Sequence, residues 1–132
     1  MKVDGDFVGN EEILSRFVIY GKFVRKDNTA RPEAFLPFPR TELSVTRSLN
    51  IDSKQIWKFG AQIRLTTSKL HGRVDVLCGV VRRLSLDAKA APTNDNPKHA
   101  NVVNWPVDKS AQKLIALRIM ENASYIPNDG SG

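Results

Sequence analysis

The sequence contains a single cysteine, Cys78, so it can form neither an internal disulfide nor a multi-cysteine zinc site. A reducing, cytoplasmic setting is the expectation. Long apolar runs are also missing. The longest are Phe17 to Tyr20, Val76 to Val81 (broken by Gly79) and Leu114 to Leu117, whereas a bilayer span takes about 20 apolar residues. Met1 to Asn10 has no basic start followed by an apolar core, so neither secretion nor membrane insertion is expected. Signature motifs of catalysis are absent too: no phosphate-binding glycine loop, dinucleotide fingerprint, His-Glu-x-x-His helix or nucleophile elbow. These absences assign no metal and leave any cofactor unknown.

What is present is a basic chain of 132 residues, long enough to bury a core without covalent staples. Its net charge of +6 is unevenly spread: residues 1–12 carry −3 and the remainder +9. The expected organisation is an acidic flexible tail at 1–11, one domain at 12–123 and a polar flexible tail at 124–132. Arg16, Lys22, Arg25, Lys26 and Arg31 form the densest basic stretch, opposed only by Asp27. A basic body attracts nucleic acid or an acidic protein, and charge alone does not choose between them.

Pattern reading predicts an α+β fold: a mainly antiparallel sheet of about four to six short strands with two helices packed on it. Ile13 to Arg25 reads as one or two strands, with Gly21 a bend. The prolines 32, 37 and 39 confine Arg31 to Arg40 to an extended edge segment around Ala34–Leu36, anchored by Phe35 and Phe38. Leu43 to Arg47 alternates, pointing Leu43 and Val45 inward and leaving Ser44, Thr46 and Arg47 wet. Ile56, Phe59, Gly60 and Ile63 recur at helical spacing within Asp52 to Arg64, with Asp52 or Ser53 as N-cap and Trp57 beside that face. Gly60 in a helix predicts the close approach of another backbone. Arg73 to Leu86 reads as the longest strand, with Cys78 a small core residue on its apolar face. Ala88 to Lys98 reads as a loop, His99 to Val103 as a strand, and Asp108 to Glu121 as a helix apolar around more than one stripe. That helix is therefore either covered on two sides or part of an oligomer interface.

The run Asn96-Pro97-Lys98-His99-Ala100-Asn101-Val102-Val103-Asn104-Trp105-Pro106, continued by Asp108-Lys109 and Gln112-Lys113, resembles the C-terminal half of a group of short bacterial proteins to which no activity is attached. Pro32-Glu33-Ala34-Phe35, Leu43 to Arg47 and His71-Gly72-Arg73 fit the same group. The resemblance implies no role for any residue, only an association with mobile genetic elements or neighbouring defence genes.

One constellation carries chemistry. His71, Arg73 and Asp75 alternate at the start of one strand, and His99 and Asn101 at the start of another. Side by side, those strands would converge two imidazoles, a guanidinium, a carboxylate and a carboxamide. Phosphate would then bind through Arg73 and Lys98, with His71, Asp75 and His99 as the catalytic set of a phosphoester-cleaving enzyme. The opposing reading makes the patch the wet end of a sheet and the protein a non-catalytic binding or accessory module, more in keeping with the missing motifs. Its contacts would be Arg25, Lys26, Arg73, Lys98 and Asn101, its partner nucleic acid or an acidic protein. A third reading makes the chain a subunit of a homo-oligomer or larger complex, joined through the last helix and Trp57 or Trp105.

Overall fold

Ile13–Val18 is rich in β-branched and aromatic residues, and it forms β1, the strand from which the rest of the sheet extends. The computed structural model describes residues 7–63 and 69–128. Within them the sheet has six strands: β1, β2 (Leu43–Arg47), β3 (Gly72–Leu77), β4 (Asp87–Ala90), β5 (His99–Val103) and β6 (Ser124–Pro127). Their spatial order is β4-β5-β2-β1-β3-β6, and every neighbouring pair is antiparallel. Three helices accompany them: α1 (Ser53–Ile63), α2 (Cys78–Arg83) and α3 (Lys109–Met120). The fold is α+β, as the patterning predicts.

Both sheet faces are covered, by different means. Leu14, Val18, Leu43, Val45, Val74, Val76, Ala100 and Val102 point to one face and join Phe35, Trp105 and Ile119 in the main core. This core is closed by α3, α2 and a single 3₁₀ turn at Pro32–Phe35. On the opposite face α1 lays down Ile56, Trp57 and Phe59 against Phe17 and Leu70, a second and smaller core. Of the two expected caps Asp52 serves, with Gln55 N–H donating to Asp52 Oδ1 at 2.8 Å. Arg64 lies outside the described residues. Asp108 caps α3 in the same way, accepting from Ala111 N–H at 2.9 Å.

Several expectations give way to tertiary structure. The long strand from Arg73 ends at Leu77 and becomes α2, because the amides of Cys78 and Gly79 are taken by the carbonyls of Glu12 and Asn10. Cys78 and Val81, three apart, are both fully buried on one helical side. Burial also pushes the Cys78 thiol pKa up, in keeping with an inert core residue. The chain then reverses through paired bonds from Ser85 N–H to Arg82 O and Leu86 N–H to Val81 O, a Schellman C-cap with Ser85 at φ 68° in the glycine position. That reversal delivers β4 where a loop is expected. β6 likewise replaces part of the expected C-terminal tail: Tyr125 packs on the main core, Ile126 on the smaller one, and residues 129–132 lie outside the described residues. Gly72 admits β6, since a Cβ there would sit 2.6 Å from Ile126 O.

The remaining corrections are local. Pro32–Phe35 is a 3₁₀ turn rather than an extended edge, and Phe35 is buried while Phe38 is exposed beneath Lys109. Thr46 is buried, taking a hydrogen bond from Asn96 Nδ2, and Arg47 is held by Glu12. Of the expected N-terminal tail, residues 1–6 lie outside the described residues, while Val8 is core and Gly9 N–H donates to Glu12. At Gly60 the close neighbour is a side chain, not backbone: a Cβ would lie 2.6 Å from the Phe17 ring.

This packing makes two outcomes testable. Gly60→Ala gains about 1 kcal/mol of helix propensity and loses about 1–3 kcal/mol to overpacking. A net loss is expected by urea denaturation, and Phe17→Leu with Gly60→Ala should be more stable than the two single losses sum to; a stabilised Gly60→Ala would show that the contact yields freely. The second concerns Glu12, whose carboxylate is held below the usual range chiefly by the Arg47 hydrogen bonds at 2.8 Å. A carboxylate with a depressed folded pKa contributes stability that is complete above its unfolded value, about 4.3, and lost as pH falls through the folded one. Glu12→Gln is thus expected to lower stability at neutral pH and flatten the acid limb; an unchanged limb would show that the pair does not drive it.

Candidate functional site

The register decides the fate of the His71/His99 constellation. Cross-strand partners place Ser124, Asp75, Ser15, Thr46 and His99 in one row across the sheet, on the face that α1 partly covers. Asp75 and His99 therefore share a face, but three strand steps lie between them, roughly 14 Å at the usual spacing. His71 precedes β3, its ring against Gly21, and Asn101 pairs with Ser44 and Lys89 at the far side of the sheet. The two halves of the expected catalytic set are not brought together. Among the described residues no group of three or more His, Cys, Asp or Glu side chains is placed to hold a metal ion.

Each half has a structural occupation. Arg73 Nε donates to both oxygens of Asp75 at 3.2 Å, and the guanidinium stacks on Trp57 at 4.7 Å. Asp75 also accepts from Ser15 Oγ at 2.6 Å, and Ser15 bonds Ser48 Oγ at 2.7 Å. Arg73 is buried in this network, so it does not serve as the surface phosphate contact expected of it. His99 is set by its loop: Nδ1 lies 2.8 Å from Ala91 O, and because a carbonyl only accepts, Nδ1 is the donor. Asn96 fastens that loop, donating to Thr46 Oγ1 and accepting from Lys98 N–H. Beside it a recess of about 100 Å³ opens between Phe59, Phe17, Ser44 and His99. Lys98 is exposed nearby and weakly stabilises the Glu12 carboxylate.

The basic stretch becomes a defined object. After β1 the chain makes a 3₁₀ turn at Gly21–Phe23 and closes a short hairpin through the Val24–Ala30 bridge, Arg25 N–H to Thr29 O and Arg31 N–H to Phe23 O. Asn28 takes φ 65° at its tip, a conformation Asn tolerates. Lys22, Arg25, Lys26 and Arg31 are all exposed on it. Its sole carboxylate, Asp27, is occupied by the Thr29 hydroxyl and amide, bonds that lower its pKa. Tyr20 stands at the base, 47% exposed, with Lys22 Nζ 5.9 Å from its ring centre. Sequence reasoning places the cations but not Tyr20, whose apolar run reads as strand.

Comparison of the chain with protein-family models, curated proteins and solved structures finds no match. The buried Arg73–Asp75 pair yields a prediction that separates structural from catalytic use. Asp75→Ala leaves a buried cation without its partner and is expected to cost about 3–5 kcal/mol, whereas Arg73→Met with Asp75→Ala should cost less. Equal losses in chemical denaturation would contradict the pairing.

Proposed function

We propose that the protein is a non-catalytic nucleic-acid-binding module whose contact surface is the Tyr20–Arg31 hairpin. The observation that carries this reading is the local charge imbalance: four exposed cations on one short hairpin whose single carboxylate is already satisfied internally. Elsewhere on the described surface Lys54, Lys58, Lys89 and Lys98 are exposed as well. Lysines and arginines in such an arrangement neutralise phosphates and release counterions. Tyr20 adds a ring on which an unpaired base can stack. The separation of His71 and Asp75 from His99 removes the support for phosphoester cleavage.

Binding to single-stranded DNA or RNA should weaken steeply as salt rises, and Lys22→Ala, Lys26→Ala and Arg31→Ala should each reduce the log–log salt slope by about one. Tyr20→Ala should cost about 1–3 kcal/mol with single strands and little with duplex. A salt-independent affinity, or slopes untouched by the three alanines, would sink the proposal.

A further inference from the structure

β1 and β2 pair only through Leu14–Arg47 and Ser15–Thr46, and beyond that point the two strands part. Arg16 spans the parting. Its Nε donates to Ala34 O at 3.2 Å inside the fold, and its Nη1 donates to Ser44 O at 3.1 Å where the bond reaches solvent. Carbonyl oxygens satisfy donors without neutralising the charge, and a guanidinium carries further N–H groups for another acceptor. Burial lowers the Arg16 pKa, and the other group acting on it is Tyr20; no carboxylate does. A desolvated cation calls for an anionic partner. Arg47, Arg73 and Arg82 each have one, in Glu12, Asp75 and Asp87. Arg16 has none.

The recess beside His99 is where this guanidinium emerges. Arg16 lines it together with Phe17, Phe59, Ser44 and His99, and among the described residues no Asp or Glu does. Arg16, Ser44 and His99 come from three neighbouring strands, β1, β2 and β5. Because Ala91 O holds His99 Nδ1, Nε2 is the ring nitrogen left for a ligand, and it donates when the ring is charged. Size narrows the occupant: a benzene ring takes a cavity of about 150 Å³ and a water only about 10–15 Å³, against about 100 Å³ here. An aromatic ring or nucleobase is too large, and a compact oxyanion falls between the limits. Arg16 alone could match both oxygens of a carboxylate, whereas a phosphate keeps oxygens for further donors.

We propose that this recess is a phosphate-binding site, with Arg16 meeting the charge and Ser44 Oγ and His99 Nε2 bonding the remaining oxygens. The phosphate is either the free ion or the terminal group of a nucleic-acid strand whose remainder stays outside.

The test titrates the full chain with inorganic phosphate at constant ionic strength, followed by backbone amide NMR shifts. Saturable binding at about millimolar phosphate is expected, with the largest shifts at Arg16, Ser44 and His99. Acetate should bind at least about tenfold more weakly. Arg16→Gln should weaken phosphate binding at least about tenfold. Ser44→Asp sets a carboxylate beside the recess at an exposed position; it should weaken binding at least about tenfold by repulsion, and it tests the site should Arg16→Gln not fold. Two oligonucleotides, one ending in a phosphate and one in a hydroxyl, then compete with the bound ion. Stronger competition by the first, erased by Ser44→Asp, assigns the site to a strand end, and equal competition assigns it to free phosphate. No saturable binding, shifts confined to the Tyr20–Arg31 hairpin, equal binding of acetate, or binding that neither Arg16→Gln nor Ser44→Asp weakens overturns the proposal. The combined Lys22→Ala, Lys26→Ala and Arg31→Ala variant leaves the recess whole and should bind phosphate unchanged; loss of binding there also overturns it. The site does not rest on the hairpin reading, so the two failures are distinguishable.

Discussion

β1 is hydrogen-bonded on both sides, to β2 through Leu14 and Ser15 and to β3 along its whole length, and the rest of the molecule takes its position from that double pairing. The pairing sorts the side chains. Leu14 and Val18 must face the main core, so Ser15 and Phe17 must face α1. A slip of one residue would put Ser15 into the main core and Leu14 beneath the helix, which neither face would accommodate. The same register spreads Asp75, Ser15, Thr46 and His99 along one row instead of gathering them. The partners lie far apart in sequence, 13–18 against 43–47 and 72–77, so no local pattern announces the arrangement.

The two long helices show what a face needs in order to be finished. α1 is amphipathic in the simple sense: Ile56, Trp57, Phe59 and Gly60 go down and Lys54, Lys58, Ala61 and Gln62 go out. Its burden is electrostatic, since it covers a sheet face carrying Arg73 and Asp75. Trp57 meets that burden by stacking on the guanidinium while Asp75, Ser15 and Ser48 complete a hydrogen-bonded chain. α3 is different. It closes the main core through Ile119 and clamps two loops, Gln112 Nε2 donating to Arg40 O and Pro106 O, yet keeps two leucines outside.

The charges divide along a similar line. Carboxylates are drawn into the architecture, as caps on α1 and α3 and as partners of Arg47, Arg73 and Arg82. Most cations stay at the surface, where the long Lys and Arg stems leave the charged head in water. The exposed cations are densest on the Tyr20–Arg31 hairpin, where Lys22, Arg25, Lys26 and Arg31 have only Asp27 to offset them.

Where the signal is local, the sequence by itself determined the outcome: the alternation of Leu43 and Val45, the caps at Asp52 and Asp108, the helical spacing around Ile56 and the clustered cations from Lys22 to Arg31. Each rests on backbone geometry or charge within a few residues. Tertiary structure alone decided the rest. Cys78–Arg83 became a helix because Asn10 and Glu12 took its first amides and Ser85 accepted a left-handed turn that glycine would ordinarily announce. Asp87–Ala90 and Ser124–Pro127 became strands because neighbours offered them edges, although alanine, serine and proline favour no such state. His71 and His99 were kept apart for the same physical reason: distance across a sheet is set by strand order, which depends on pairing between remote segments and leaves no trace in either one.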